Sequence, residues 1–151
     1  MTKIGDLLGN VADQIAQNTI AIGDIHKIPL DESNGITPKD GKLTREKYFV
    51  VLGFDSSGNI IGGLVINTNI NYNLPTSVTD YQLQVTASQL SFLHHKSFVN
   101  CSRLIVARRD KFTSDSYMGT IEDKELLDLI IGTVKESPTV SKKLLKKFDI
   151  I

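Results

Sequence analysis

Two apolar runs dominate the pattern of this chain. Tyr48 to Phe54 and Ile60 to Ile66, rich in Val, Ile, Leu and Phe, flank a Ser-Ser-Gly-Asn connection. This is the arrangement of a β-hairpin with a loop longer than two residues. Arg45 stands before the first run and Asn67-Thr68-Asn69 follows the second, so antiparallel pairing brings these polar groups to one end of the sheet. That shared end is the first place to look for function.

The remaining pattern supplies elements on both sides of the hairpin. In residues 3 to 18, Ile4, Leu7, Leu8, Val11 and Ile15 recur at helical spacing and predict an amphipathic helix docked on its own domain, with a dimer or partner contact as the sharper alternative. Gly5 and Gly9 weaken it by about 1 kcal/mol each relative to Ala. Ile22, Ile25, Ile28 and Leu30 alternate imperfectly and end at Pro29, which reads as a short strand near an edge. Asp31 to Thr44 has no apolar period and forms a long loop, in which Lys39 and Lys42 make a basic approach to Arg45 and Lys47. Tyr81 to Val85 alternates as a strand, residues 86 to 96 read as a single helical turn or an irregular crossing, and Ser97 to Ala107 is a further strand. Met118 to Ile121 leads into a helix whose face is Leu126, Leu127, Ile130, Ile131 and Val134, stopped by Ser137-Pro138. A last helix from Ser141 to Phe148 turns Leu144, Leu145 and Phe148 inward and four lysines outward. Five short strands predict a small, strongly bent sheet or partly closed barrel.

Composition narrows the setting. At 151 residues and 40% hydrophobic, the chain suits one domain with a sizeable core. Seventeen basic and seventeen acidic residues cancel, so any polyanion site must be a local patch. The lone Cys101 cannot close a disulfide within the chain, no N-terminal segment reads as a signal peptide, and no apolar run approaches the roughly 18 residues of a membrane span. A cytoplasmic protein without membrane contact is the expectation. Zinc-ligand spacing, a Gly-rich phosphate loop and a nucleophile elbow are all missing, so no metal or nucleotide cofactor is expected.

The order of these segments is informative. The Gly23-Asp24-Ile25 entry, the loop to Arg45, Tyr48 to Gly53, Val65 to Asn69, the V-N-C-S-R-L-I strand and M-G-T-I-E-D-K-E-L-L together resemble the PemK/MazF-like toxins, the endoribonucleases of toxin–antitoxin pairs. The similarity covers roughly Ala21 to Glu136, leaving the N-terminal helix (1–20) and the C-terminal tail (137–151) outside it. The resemblance implies an α+β, β-rich fold built on an SH3-like small β-barrel. It also implies a homodimer, an antitoxin covering the RNA groove, and metal-free cleavage of single-stranded RNA. Arg45 matches the family's Arg at the end of the first long loop, and Thr68 its Thr or Ser after the following strand. Ser102 stands where many members carry an acidic residue, and Glu46 where Pro usually follows the Arg.

Metal-free RNA cleavage needs a base for the 2′-hydroxyl proton, an acid for the leaving 5′-oxygen and fixed positive charge for the phosphate. Arg45 offers a planar fork of donors that stays charged. His94 and His95 suit proton transfer at neutral pH, although adjacent strand residues face opposite ways and at most one would enter the groove. The candidate catalytic set is Arg45, Thr68, His94 and His95. Asn67, Asn69, Lys47, Ser102 and Arg103 form the candidate RNA-binding set. Cys101 reads as a buried small hydrophobe, and Tyr72 and Tyr81 as rim or core aromatics able to stack bases. The alternative from another class is a non-catalytic toxin-fold module that binds a protein partner, as the related gyrase-poisoning toxins do.

Overall fold

The computed structural model describes residues 4–38 and 41–151, with the side chains of residues 4–8 excepted. Lys39 of the basic approach, and the side chains of Ile4, Leu7 and Leu8 in the predicted stripe, lie outside the described set. In chain order the elements are α1 (Ile4–Asn18), β1 (Asp24–Leu30), β2 (Arg45–Phe54), β3 (Ile60–Asn67), α2 (Thr76–Thr79), β4 (Gln82–Val85), β5 (Ser97–Asn100), β6 (Ile105–Arg108), β7 (Tyr117–Thr120), α3 (Lys124–Glu136) and α4 (Lys142–Lys147). Short 3₁₀ turns occupy Glu32–Asn34 and Arg109–Lys111. Neighbouring strands pair antiparallel in the order β4-β5-β3-β2-β1-β7, and β6 lies on β3 beside β5. The α+β class matches the sequence expectation. The sheet ends at β4 and β7 and does not close into a barrel.

The hairpin β2–β3 is the centre because both of its faces are buried, which is why its strands are continuous apolar runs rather than alternating ones. On one face Val50, Leu52, Leu64 and Ile66 pack with Leu126, Ile130 and Val134 of α3 and with Leu145 and Phe148 at the C-terminal end. On the other, Phe49, Val51, Ile61 and Val65 pack with Ile28, Leu30, Ile105 and Phe112. A bulge at Leu52, between the pairs Val51–Gly63 and Gly53–Gly62, admits one extra residue and bends β2. Gly62 permits a close approach in the core: a Cβ there would lie 2.7 Å from Cγ of Phe148. Side-chain caps start both C-terminal helices. Asp123 accepts from the backbone N–H groups of Glu125 and Leu126, and Ser141 Oγ from that of Leu144.

Four sequence expectations are corrected. First, the strand read as ending at Pro29 continues to Leu30; its place near an edge holds, with the edge strand β7 beside only its first half. Pro29 is tolerated because β7 pairs only with residues 24 to 26, leaving the proline's side of β1 without a ladder partner. Second, the single strand read over Ser97 to Ala107 is two strands. Asn100 Oδ1 accepts from Ser102 N at 3.1 Å, an Asx turn that competes with the ladder and interrupts it. Third, Met118 to Thr120, read with Ile121 as a lead into α3, belong with Tyr117 to the edge strand β7, fastened by Thr120 Oγ1 donating to Asp24 Oδ1 at 2.7 Å.

Fourth, among its described side chains α1 docks through polar groups, and the described part of its apolar stripe, Val11 and Ile15, does not dock. Asp13 Oδ1 accepts from Ser114 N and Oγ at 2.9 and 3.1 Å, Gln17 Nε2 donates to the Phe112 carbonyl at 3.0 Å, and Arg109 donates to the Gln17 carbonyl. Val11 and Ile15 are 51% and 58% exposed. Among the described residues no helix is long and apolar enough to cross a membrane.

Candidate nucleic-acid interface

Antiparallel pairing places the start of β2 beside the end of β3, as the hairpin pattern requires, and a cleft of about 630 Å³ opens there. Its walls come from β1, β2, β3, the 68–79 segment, β4 and β5. Lys27, Arg45 and Lys47 bring positive charge, and Asn67, Thr68 and Asn69 bring amides and a hydroxyl. Arg45 at the start of β2 and Thr68 just past the end of β3 therefore line one concave surface.

Each charged group is held differently. Lys47 Nζ donates to Asn67 Oδ1 at 2.5 Å across the hairpin. Lys27 Nζ lies 3.7 Å from Glu46 Oε2, with side chains 45% and 65% exposed, a solvent-screened pair that aligns more than it stabilises. The same ammonium sits 5.7 Å over the Tyr48 ring, which packs on Phe92 with centroids 4.8 Å apart. The Arg45 guanidinium makes no hydrogen bond or ion pair with any described residue. Its fork of donors is left for a ligand.

At the opposite wall β4 pairs with β5, and Gln82 stands directly across from Asn100. Gln82 Nε2 donates to Asn100 Oδ1 at 2.8 Å and to the Val78 carbonyl at 3.1 Å. Asn100 Oδ1 also accepts from Ser102 N and from Ser102 Oγ, the latter at 2.5 Å. Ser102 is itself buried and acts behind Asn100.

Of the nine candidate site residues, Arg45, Lys47, Asn67, Thr68 and Asn69 line the cleft and four do not. His94 and His95 are exposed on the segment before β5 and neither lines it. Ser102 is buried behind Asn100. Arg103 donates to the Gly35 carbonyl at 2.9 Å and pins the first long loop. Lys27, Gln82 and Asn100 were missed. Alternation along β1 turns Lys27 outward, a signal the sequence does carry. The Gln82–Asn100 pairing depends on a strand register that it does not.

Other chemistry-bearing residues serve the fold. Arg109 donates to the Gly58 carbonyl at 2.5 Å and stacks on Phe54, and Lys111 donates to the Pro29 carbonyl at 3.1 Å. Burial pushes the Cys101 thiol up to about 12, which keeps it unreactive. Among the described residues no group of three or more His, Cys, Asp or Glu could hold a metal ion. In comparison with known proteins, the chain matches no protein-family profile and no curated protein.

Proposed function

We propose that the cleft binds single-stranded RNA and that the chain is a PemK/MazF-like endoribonuclease, metal-independent, cytoplasmic, homodimeric and restrained by an antitoxin. The observation that carries this reading is the convergence of Lys27, Arg45 and Lys47 with Asn67, Thr68 and Asn69 on one cleft, in a chain whose charges cancel overall. A local cationic groove attracts a phosphate chain where the average charge cannot.

In this reading Arg45 grips two oxygens of the scissile phosphate, and Thr68 with the flanking asparagines fixes its orientation. Glu46 is the one carboxylate among the described lining residues, and no described histidine lines the cleft, so Glu46 takes the base role. Its carboxylate accepts the 2′-hydroxyl proton, the 2′-oxygen attacks phosphorus and the bond to the 5′-oxygen breaks. The leaving oxygen takes a proton from water in the open cleft, and a 2′,3′-cyclic phosphate remains. Arg45 offsets the charge that grows on the phosphate during attack.

Incubation of the purified chain with single-stranded RNA in EDTA tests the reading. Cleavage is expected from the native chain, with at least about a hundredfold loss in Arg45→Ala and a comparable loss in Glu46→Gln. Equal and negligible cleavage by all three refutes it. The absence of His94 and His95 from the cleft favours a second reading, a non-catalytic module that binds a protein partner. Recovery of one stoichiometric protein partner, with no RNA shift at low salt, would select that reading.

A further inference from the structure

The two amides on the far wall of the cleft have orientations set by groups of known polarity. Ser102 N is a backbone donor, so the atom of Asn100 that receives it is the oxygen. The Val78 carbonyl is a backbone acceptor, so the atom of Gln82 that reaches it is the nitrogen. Asn100 Oδ1 is occupied by three donors, and both donors of Gln82 Nε2 are spent on Val78 and Asn100. What remains is Asn100 Nδ2, with two N–H donors, and Gln82 Oε1, an acceptor. Neither has a partner among the described residues, and the one buried side-chain polar atom without a partner there is His26 Nε2. Both free atoms therefore face solvent, on residues that line the cleft.

Resting on the RNA reading above, we infer that Asn100 and Gln82 form a base-reading pair. Asn100 Nδ2 donates to, and Gln82 Oε1 accepts from, the Watson–Crick edge of one unstacked base. Sequence-specific recognition of single strands works through such edges. Adenine and cytosine place an exocyclic amine donor beside a ring-nitrogen acceptor, whereas uracil and guanine place a carbonyl acceptor beside a ring N–H. Arg45, across the cleft, fixes the side from which the sugar-phosphate chain arrives. Set against the ring nitrogen and the exocyclic group at C6 of a purine or C4 of a pyrimidine, the pair fits one of these two orders and leaves the other with donor against donor and acceptor against acceptor. Ser102 is a positioning residue, since it locks Asn100 without touching the base.

The test measures binding of short 2′-fluoro strands of A, of C and of U, which lack the attacking hydroxyl and stay intact. A strand of abasic tetrahydrofuran-phosphate units serves as the backbone-only probe. The native chain should separate U from both A and C by about tenfold or more, and Gln82→Met should bring the three to within about twofold of one another. Asn100→Asp keeps Oδ1 for Ser102 but replaces the free donor with an acceptor. It should lose the same preference, and it stands in if circular dichroism shows Gln82→Met to be misfolded. Equal binding of A, C and U by the native chain, with the abasic strand also held, overturns the base-reading pair and leaves the RNA cleft standing. A preference that survives both substitutions also overturns the pair, because the base is then read elsewhere. Failure to bind any strand, the abasic one included, removes the RNA reading and the pair with it.

Discussion

His26 carries the one buried side-chain polar atom without a partner among the described residues. It is 2% exposed, with its ring edge-on to Phe112 and Tyr117. Its Nδ1 lies 2.8 Å from Ser116 Oγ, and that hydroxyl donates to the Thr113 carbonyl at 2.9 Å. Serine has one proton to give, so Nδ1 donates and Nε2 is left bare in the interior. Burial lowers the pKa of the imidazole, with Asp24 opposing. The unfolded chain therefore binds the proton more readily, and stability is full above the ordinary histidine value of about 6.5 and falls as pH drops below it. The urea midpoint should fall between about pH 7.5 and pH 5.5, and His26→Phe should remove most of that fall. A slope unchanged by the substitution would show that other groups carry it. Cys101 gives a second test: a thiol reagent should label it only after unfolding, and rapid labelling of the native chain would contradict its burial. None of this could be read from the chain, because Ser116 lies ninety positions from His26 and a lone histidine in a strand gives no sign of its partner.

Elements held by long apolar runs were legible, and those held by polar capping were not. The hairpin β2–β3 and helix α3 stand where periodicity placed them, since their burial depends on side-chain pattern alone. Strand β7 is four residues long with a glycine inside it; it exists because β1 offers an edge, which no local signal announces. The break between β5 and β6 follows from one Asn side chain capturing a backbone N–H. For α1 the periodicity predicts the helix, while its docking through Asp13 and Gln17 onto Ser114 and Phe112 depends on partners 101 and 95 positions away. Two substitutions probe the legible part. Gly62→Ala sets a methyl against the Phe148 ring and should cost about 1–3 kcal/mol. Asp123→Ala removes the α3 cap and should cost about 1 kcal/mol. Denaturant titration checks both, and an unchanged midpoint for Gly62→Ala would mean that Phe148 does not pack on β3.

At the scale of the whole molecule, the fold converts a neutral chain into one with a cationic cleft. Three cations from β1 and β2 face the end of β3, while Arg103, Arg109 and Lys111 are drawn off to hold loops. Half of the candidate site was visible in advance for a topological reason: a hairpin joins its own two open ends, so Arg45 and Asn67 to Asn69 had to meet. The other wall is assembled by β4 and β5, whose register no hairpin fixes, and Gln82 and Asn100 escaped notice for that reason. The central claim is that this cleft holds a phosphate chain. The salt dependence of RNA binding tests it most directly, because each neutralised phosphate of a single strand contributes about −0.7 to the slope of log K against log salt. With Lys27, Arg45 and Lys47 engaged, the slope should be about −2, and Arg45→Ala should make it shallower by about 0.7. A flat slope, or one that Arg45→Ala leaves unchanged, would contradict the account.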